Sequence, residues 1–391
     1  MARLPRFRKE FILAACTLIL ATAISSISCS LYRLAQYKSP EQVVRLRKEK
    51  ELKSSNGVVG SQPNHAVTGE KSIATGAYEM RMNQDFEGAI ALLKSAIESD
   101  PNDAHARFEL ARIEFYTAMP PWFGGLGRAE KLIRKALKLD PTNERYHYWA
   151  GYIAGYRGIY FIHFFRLLKV TFEIKRAAKA FECAVALKPD FHAARLSLIQ
   201  VLASTPAFLG GNGKRAKEHA EVLQRMDPVL GAEAACKAME DPTPERKLEI
   251  WRALLEDHDT DPRIYMEIGQ IYLSSAENLE LVDRADYLEK ALQNLSKAEE
   301  LDPNSTKNLF KLARCYRLLG EHKTEIAYYE KILALEPTPP VHVQQKALRG
   351  LRGANMKIGN IARAEELAKT VKELTPYLCL VDNYDEWLLP P

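Results

Sequence analysis

Close cysteine pairs, histidine clusters and an excess of one charge are all missing from this chain, and each absence removes a class of function. The 391 residues hold six cysteines, at 16, 29, 183, 236, 315 and 379, and nine histidines. No two cysteines are neighbours and no histidine interleaves with them at zinc-site spacing, so neither a structural metal nor a disulfide framework can be read from them. Cys183, Cys236 and Cys315 fall inside helical patterns, where a thiol acts as a small core filler. Fifty-five basic residues against 50 acidic ones leave a formal charge of +5, spread over mixed-sign stretches, so no nucleic-acid interface is expected. HExxH and GxSxG do not occur, and two other chemical motifs are incomplete. Residues 210–214, Gly-Gly-Asn-Gly-Lys, lack the hydroxyl of a phosphate loop, because Arg215 stands in its place and no strand precedes. Asp257, Asp259 and Asp261 alternate as calcium ligands do, but Pro262 occupies the glycine position and no carboxylate stands twelfth. The chain is therefore expected to bind no metal or cofactor and to be no enzyme.

A long uncharged run stands at the amino terminus. Arg3, Arg6, Arg8 and Lys9 oppose only Glu10, and residues 11–24 are apolar. Counted through residue 28, the run reaches the roughly 18 residues that can just span a bilayer. Residues 1–29 are thus expected to be a signal peptide or a signal anchor, with the basic end in the cytoplasm and the remainder on the periplasmic side. The stretch also resembles a bacterial lipoprotein signal, with Cys29 as the lipidated residue, although Ser26 stands where that signal has an aliphatic side chain. Cys16 has the better flanking residues but too short an apolar core before it. Cleavage near Ser28 with release of a soluble chain is the alternative. Residues 30–68 then form a charged linker. Ser39-Pro40-Glu41 reads as a helix start, and Arg45, Arg47, Lys48, Lys50 and Lys53 follow in a short span. This basic run is expected to be solvated, with contact to anionic lipid as the other possibility.

Residues 69–376 are periodic. In residues 304–337, Leu309, Leu312, Ala313 and Tyr316 make one apolar stripe, and Gly320 supplies the left-handed residue that ends a helix. Ile326, Tyr329, Ile332 and Leu333 make a second stripe, which Pro337 closes. Pro303 lies 34 residues before Pro337. Ahead of four such prolines, a small, large, small triplet recurs in one phase: Ala89, Leu93, Ala96; Ala129, Ile133, Ala136; Ala177, Phe181, Ala184; Ala291, Leu295, Ala298. Close helix contact needs small residues at that phase and a large one to fill the groove beside them. Gly269 is placed at the tightest such contact. The unit ending at Pro262 departs from the pattern but keeps Trp251 and Leu254.

This period and placement resemble the tetratricopeptide repeat. The resemblance implies an all-α, right-handed solenoid of about eight helix pairs, with residues 377–391 capping its last face. A proline, an aromatic and a glycine pair recur together in residues 119–129 and 205–216, where Trp122, Phe123 and Phe208 are expected to tuck under the loop. With the stretch 180–198 just before it, the second loop makes the chain over about residues 140–240 resemble exported bacterial tetratricopeptide proteins; membrane-anchored regulators of microtubule dynamics resemble the chain less closely. Residues 158–170 crowd Tyr160, Phe161, Phe164, Phe165, Leu167 and Leu168 into an insertion, expected to pack as an extra half helix or to meet a partner or membrane.

In resembled repeats the second, fifth, ninth and twelfth residues of each first helix face the ligand. Here they are His105, Phe108, Arg112 and Phe115; Arg145, Tyr148 and Tyr152; Arg263, Met266 and Gln270; and Lys307, Phe310, Arg314 and Arg317. The peptide-binding candidates are Phe108, Arg112, Tyr148, Tyr152, Lys307, Phe310, Arg314 and Arg317. They are basic and aromatic, which suits an acidic or carboxylate-terminated peptide. The expected function is a non-catalytic scaffold binding a protein or peptide partner at the cell envelope, anchored in the membrane through the amino terminus. The alternative is a small-ligand-binding accessory of a transport system.

Overall fold

In the computed structural model the chain is described over residues 38–55, 73–83, 85–117, 124–163, 167–279 and 281–374. Residues 1–37, with the expected anchor and Cys29, lie outside the described residues, as do Trp122 and Phe123 and the expected cap at 377–391. Among the described residues there is no strand, and no helix is long and apolar enough to cross a membrane.

The small, large, small phase becomes helix pairs. After α1 (Pro40–Ser55), sixteen helices follow among the described residues: α2 (Ile73–Met82), which packs on α3 (Phe86–Ser99); α4 (Ala104–Thr117) and α5 (Gly124–Leu139); α6 (Glu144–His163), which packs on α7 (Leu167–Leu187); and α8 (His192–Ser204) and α9 (Gly213–Met226). The series continues with α10 (Pro228–Ala238) and α11 (Pro244–Leu255), α12 (Pro262–Glu277) and α13 (Leu281–Leu301), α14 (Thr306–Leu319) and α15 (His322–Leu333), and α16 (Val341–Lys357) and α17 (Ile361–Leu374). Every member of the four alanine-flanked triplets is buried, from 0% exposure at Ala129 to 6% at Ala96. Gly269 on α12 shows why small residues hold these places: a Cβ there would lie 2.6 Å from Leu295 Cγ on α13. Gly320 caps α14 with φ +78°, as its position implied.

Prolines mark boundaries by opening helices as well as by closing units. Asp227 and Asp261 precede the prolines that start α10 and α12, and each accepts a backbone N–H of the first turn. Arg263 joins the two caps, reaching Asp227 at 3.0 Å and Asp261 at 2.7 Å. Its hydrogen bond holds the Asp261 carboxyl below the ordinary range. Asp261 thus caps α12 and pairs with Arg263, which spans the two caps.

The chain divides into two compact units, Met1–Asn64 with Glu130–Asn212, and His65–Ala129 with Gly213–Pro391. In the first unit α7 packs on α6, α8 and α1. The expected linker therefore contains a docked helix. Ser39 and Gln42 exchange hydrogen bonds as a capping pair at its start, and Val43 is buried against Cys183 and Leu187. The insertion lengthens α6 and α7 to 20 and 21 residues. Phe161 and Val170 are buried, while Ile159 and Leu168 are more than half exposed. Phe208 does not tuck in: it is 79% exposed beside Gly210, which takes φ +113°. In the second unit α12, α14 and α16, first helices of successive pairs, lie side by side.

Gly269→Ala should destabilise the chain by about 1–3 kcal/mol through overpacking, and Leu295→Ala in the same chain should relieve most of that, as read by urea denaturation; simple additivity of the two losses would contradict the contact. His147 on α6 gives a pH signature. Its Nε2–H donates to the Pro141 carbonyl at 2.9 Å and its Nδ1 has no partner. Burial pushes the imidazole down to about 4, against the upward pull of the Pro141 carbonyl, Asp140 and Glu144. Between about pH 6.5 and 4 the unfolded chain holds the proton and the folded one does not, so stability falls as pH drops through that window. His147→Gln should remove up to ~3 kcal/mol of this loss, flattening the melting profile there; an unchanged profile would exclude His147 as its source.

Candidate functional site

Side-chain placement on the first helices divides the expected ligand-facing residues into three groups. On α4, residues 106–115 are buried without interruption. Phe108 and Arg112 are 0% exposed, so neither lies on an open face. Phe108 stacks under the Arg112 guanidinium at 5.4 Å. Arg112 Nη1 donates to Glu109 Oε1 at 2.8 Å, and Arg81 of α2 approaches the other Glu109 oxygen at 3.8 Å. Burial works to raise the Glu109 carboxyl, but Arg112 and Arg81 outweigh it and hold it low. This cluster joins α2 to α4, a structural use of charge that the positional rule did not foresee.

On α6 the aromatic residues form a ladder. Tyr148 and Tyr152 stack with centroids 6.0 Å apart, and Tyr152 meets Tyr156 at 5.1 Å. Tyr148 is buried among Phe181, Phe191 and Trp149, whereas Tyr152 is half-buried. Beside the ladder, Arg157 and Arg176 close a ring with Glu130 and Glu173: Arg176 reaches Glu173 at 2.7 Å and Glu130 at 3.1 Å, and Arg157 reaches Glu173 at 3.0 Å. Two cations balance two carboxylates there, leaving no net charge to attract an anion.

The third group differs. Along α14, Lys307 and Arg317 are exposed and Phe310 and Arg314 half-buried. Lys311, which the positional rule passed over, stands one turn beyond Lys307. Its Nζ donates to Gln270 Oε1 of α12 at 2.9 Å, with Glu267 3.9 Å away. Lys346 of α16 lies 4.7 Å over the Phe310 ring. Burial lowers the Lys311 ammonium's pKa; Glu267 opposes this, and Lys307, Arg314 and Lys346 add to it. Lys307, Lys311 and Arg314 of α14 and Lys346 of α16 therefore lie near one another, with Glu267 and Glu277 of α12 beside them. Arg314 pairs with Glu277, a partly exposed contact of the kind that contributes about 0–1 kcal/mol and is readily exchanged for another carboxylate.

Metal and thiol chemistry find no support among the described residues. No group of three or more His, Cys, Asp or Glu side chains could hold a metal ion. Burial pushes the thiols of Cys183 and Cys315 up to about 12 and that of Cys236 to about 11, far from a thiolate at neutral pH.

Glu109→Gln should remove the carboxylate between two buried guanidiniums and cost about 3–5 kcal/mol of stability. Chemical denaturation would measure this, and a loss below about 1 kcal/mol would mean that the α2–α4 cluster is not what holds these charges.

Two family models match parts of the chain: tetratricopeptide repeat over residues 78–116, and regulator of microtubule dynamics protein 1-3 over residues 285–348. Superkiller complex protein 3 of Mus musculus is 29% identical over 116 residues, which are 30% of this chain and 6% of that protein; the chain thus spans a small fraction of the relative it matches. A tetratricopeptide repeat protein from Parabacteroides merdae superposes with a TM-score of 0.42 at 11% identity, over 72% of this chain and 97% of that one. A thermophilic tetratricopeptide repeat protein of Thermus thermophilus, TTC0263, gives 0.32 at 19% identity, over 61% and 95%. PilW, a type IV pilus biogenesis factor, gives 0.31 at 17% identity, over 71% and 95%. Residues 78–116 thus carry a tetratricopeptide repeat, set within an all-helical array.

Proposed function

We propose that this chain is a non-catalytic scaffold that holds a protein partner by an acidic segment laid against α12, α14 and α16. A tetratricopeptide-repeat fold is consistent with protein interaction, and the observation that carries the finer reading is the crowding of Lys307, Lys311, Arg314 and Lys346. Like charges brought together lower their own stability, and an anion laid among them relieves that repulsion. Carboxylates of the partner take the place of Glu277 on Arg314 and complete charge-assisted hydrogen bonds to Lys307 and Lys311. Phe310 supplies apolar area beneath. The basic amino terminus followed by the apolar run supports a tethered chain whose repeats lie on the periplasmic side of the membrane.

The test is capture of partners from a solubilised envelope extract, followed by titration of each captured protein's acidic segments against the immobilised chain. Combined Lys307→Ala, Lys311→Ala and Arg314→Ala substitutions should weaken binding at least about a hundredfold, since each charge-assisted bond contributes about 1.5–3 kcal/mol. Binding should also fall with salt. Retention of the same partner at unchanged affinity by the triple variant would refute the groove.

A further inference from the structure

In the first unit α1 crosses the ends of two second helices. α5 ends at Leu139 and α7 at Leu187, so unsatisfied carbonyls and the negative poles of two helices come to one edge. α1 answers each pole with a cation. Arg47 Nη1 donates to the Leu187 carbonyl at 2.9 Å and lies 3.5 Å from Glu144; Lys50 Nζ is 3.3 Å from Asp140. The match extends to the other end of α1, where Lys179 of α7 contributes to holding the Glu41 carboxyl below its ordinary range, after the hydrogen bonds from Ser39 and Glu41's own backbone N–H. Between the charged contacts, Val43 fills a notch made by Cys183 and Leu187, and the Cys183 thiol donates to the Lys38 carbonyl at 3.5 Å.

This fit is specific but shallow. Among the residues of α1 whose burial is described, only Val43 is buried, and burying one valine contributes about 1.5–3 kcal/mol. The Arg47 and Lys50 side chains remain 37% and 57% exposed in their ion pairs, a setting in which such pairs contribute little and are screened by salt. Arg45 with Glu49 and Arg47 with Glu51 support the helix internally at i,i+4 spacing, so its helicity does not depend wholly on the dock. We infer that this edge of the first unit is a recognition surface for basic helices, occupied in cis by α1, and that a partner's basic helix with one small apolar anchor can take α1's place.

Cys183 reports on the exchange, because it is buried beneath α1. In the full chain, maleimide modification of Cys183, followed by peptide mass spectrometry, should be slow at low ionic strength and quicken as salt rises. Arg47→Glu with Lys50→Glu should speed it about tenfold or more, and Val43→Asp should speed it at every salt concentration. A synthetic peptide of residues 38–55 should restore protection to the Val43→Asp chain, and the same peptide with Glu at 47 and 50 should not. Cys315, buried in the other unit, should stay unmodified throughout. The charge reversal changes only partly exposed side chains, so it tests the dock without disturbing the apolar contact. If Cys183 reacts equally slowly in both variants, or if the native peptide leaves the fast rate unchanged, the inference is overturned.

Discussion

Where the small, large, small triplet recurs, the helices pack so closely that an alanine or a glycine must stand at the contact, and much of the remaining structure follows from that constraint. With Ala129 and Ala136 at 0% exposure around Ile133, and Ala177 and Ala184 at 0% around Phe181, no water separates the helices. Polar groups in these contacts must find partners inside the stack. Asn308 donates to the Leu295 carbonyl. Glu109 lies between Arg81 and Arg112, and the ring of Glu130, Arg157, Glu173 and Arg176 leaves no unbalanced charge. Breaking such a set is far more damaging than its presence is stabilising, since desolvation cancels much of the attraction between buried ions.

The repeats were legible in the sequence for the same reason. Close packing demands small residues at a fixed phase, and a fixed phase is what a sequence displays; Gly269 and Gly320 could be assigned to a contact and a cap before any coordinates. Phase says which side of a helix faces its own partner, but it does not say whether the other side is covered. That is why Phe108 and Arg112 were expected on a groove and proved to be buried on α4. The docking of α1 escaped for the opposite reason: one buried residue among those described makes no stripe, and the contacts rest on two cations, a carbonyl and two carboxylates that no periodicity encodes. Lys311 was passed over because the positional rule skips it, although its i+4 spacing from Lys307 was visible. Lys346 joins it from the next repeat, a juxtaposition that appears only once α14 and α16 are side by side.

These two surfaces draw their charge from different sources. On α14 and α16 the charge belongs to side chains, Lys307, Lys311, Arg314 and Lys346, with the carboxylates of Glu267 and Glu277 of α12 beside them. Along the ends of α5 and α7 the negative partners include a backbone carbonyl, that of Leu187, which remains whatever the side chains are. Asp140 and Glu144 add their carboxylates to it. A contact this shallow holds its occupant weakly, so which helix fills it is decided by competition. A tethered helix supplies that competition: α1 is always present at high effective concentration, so only a segment with a better anchor than Val43, or one equally well anchored and locally abundant, displaces it.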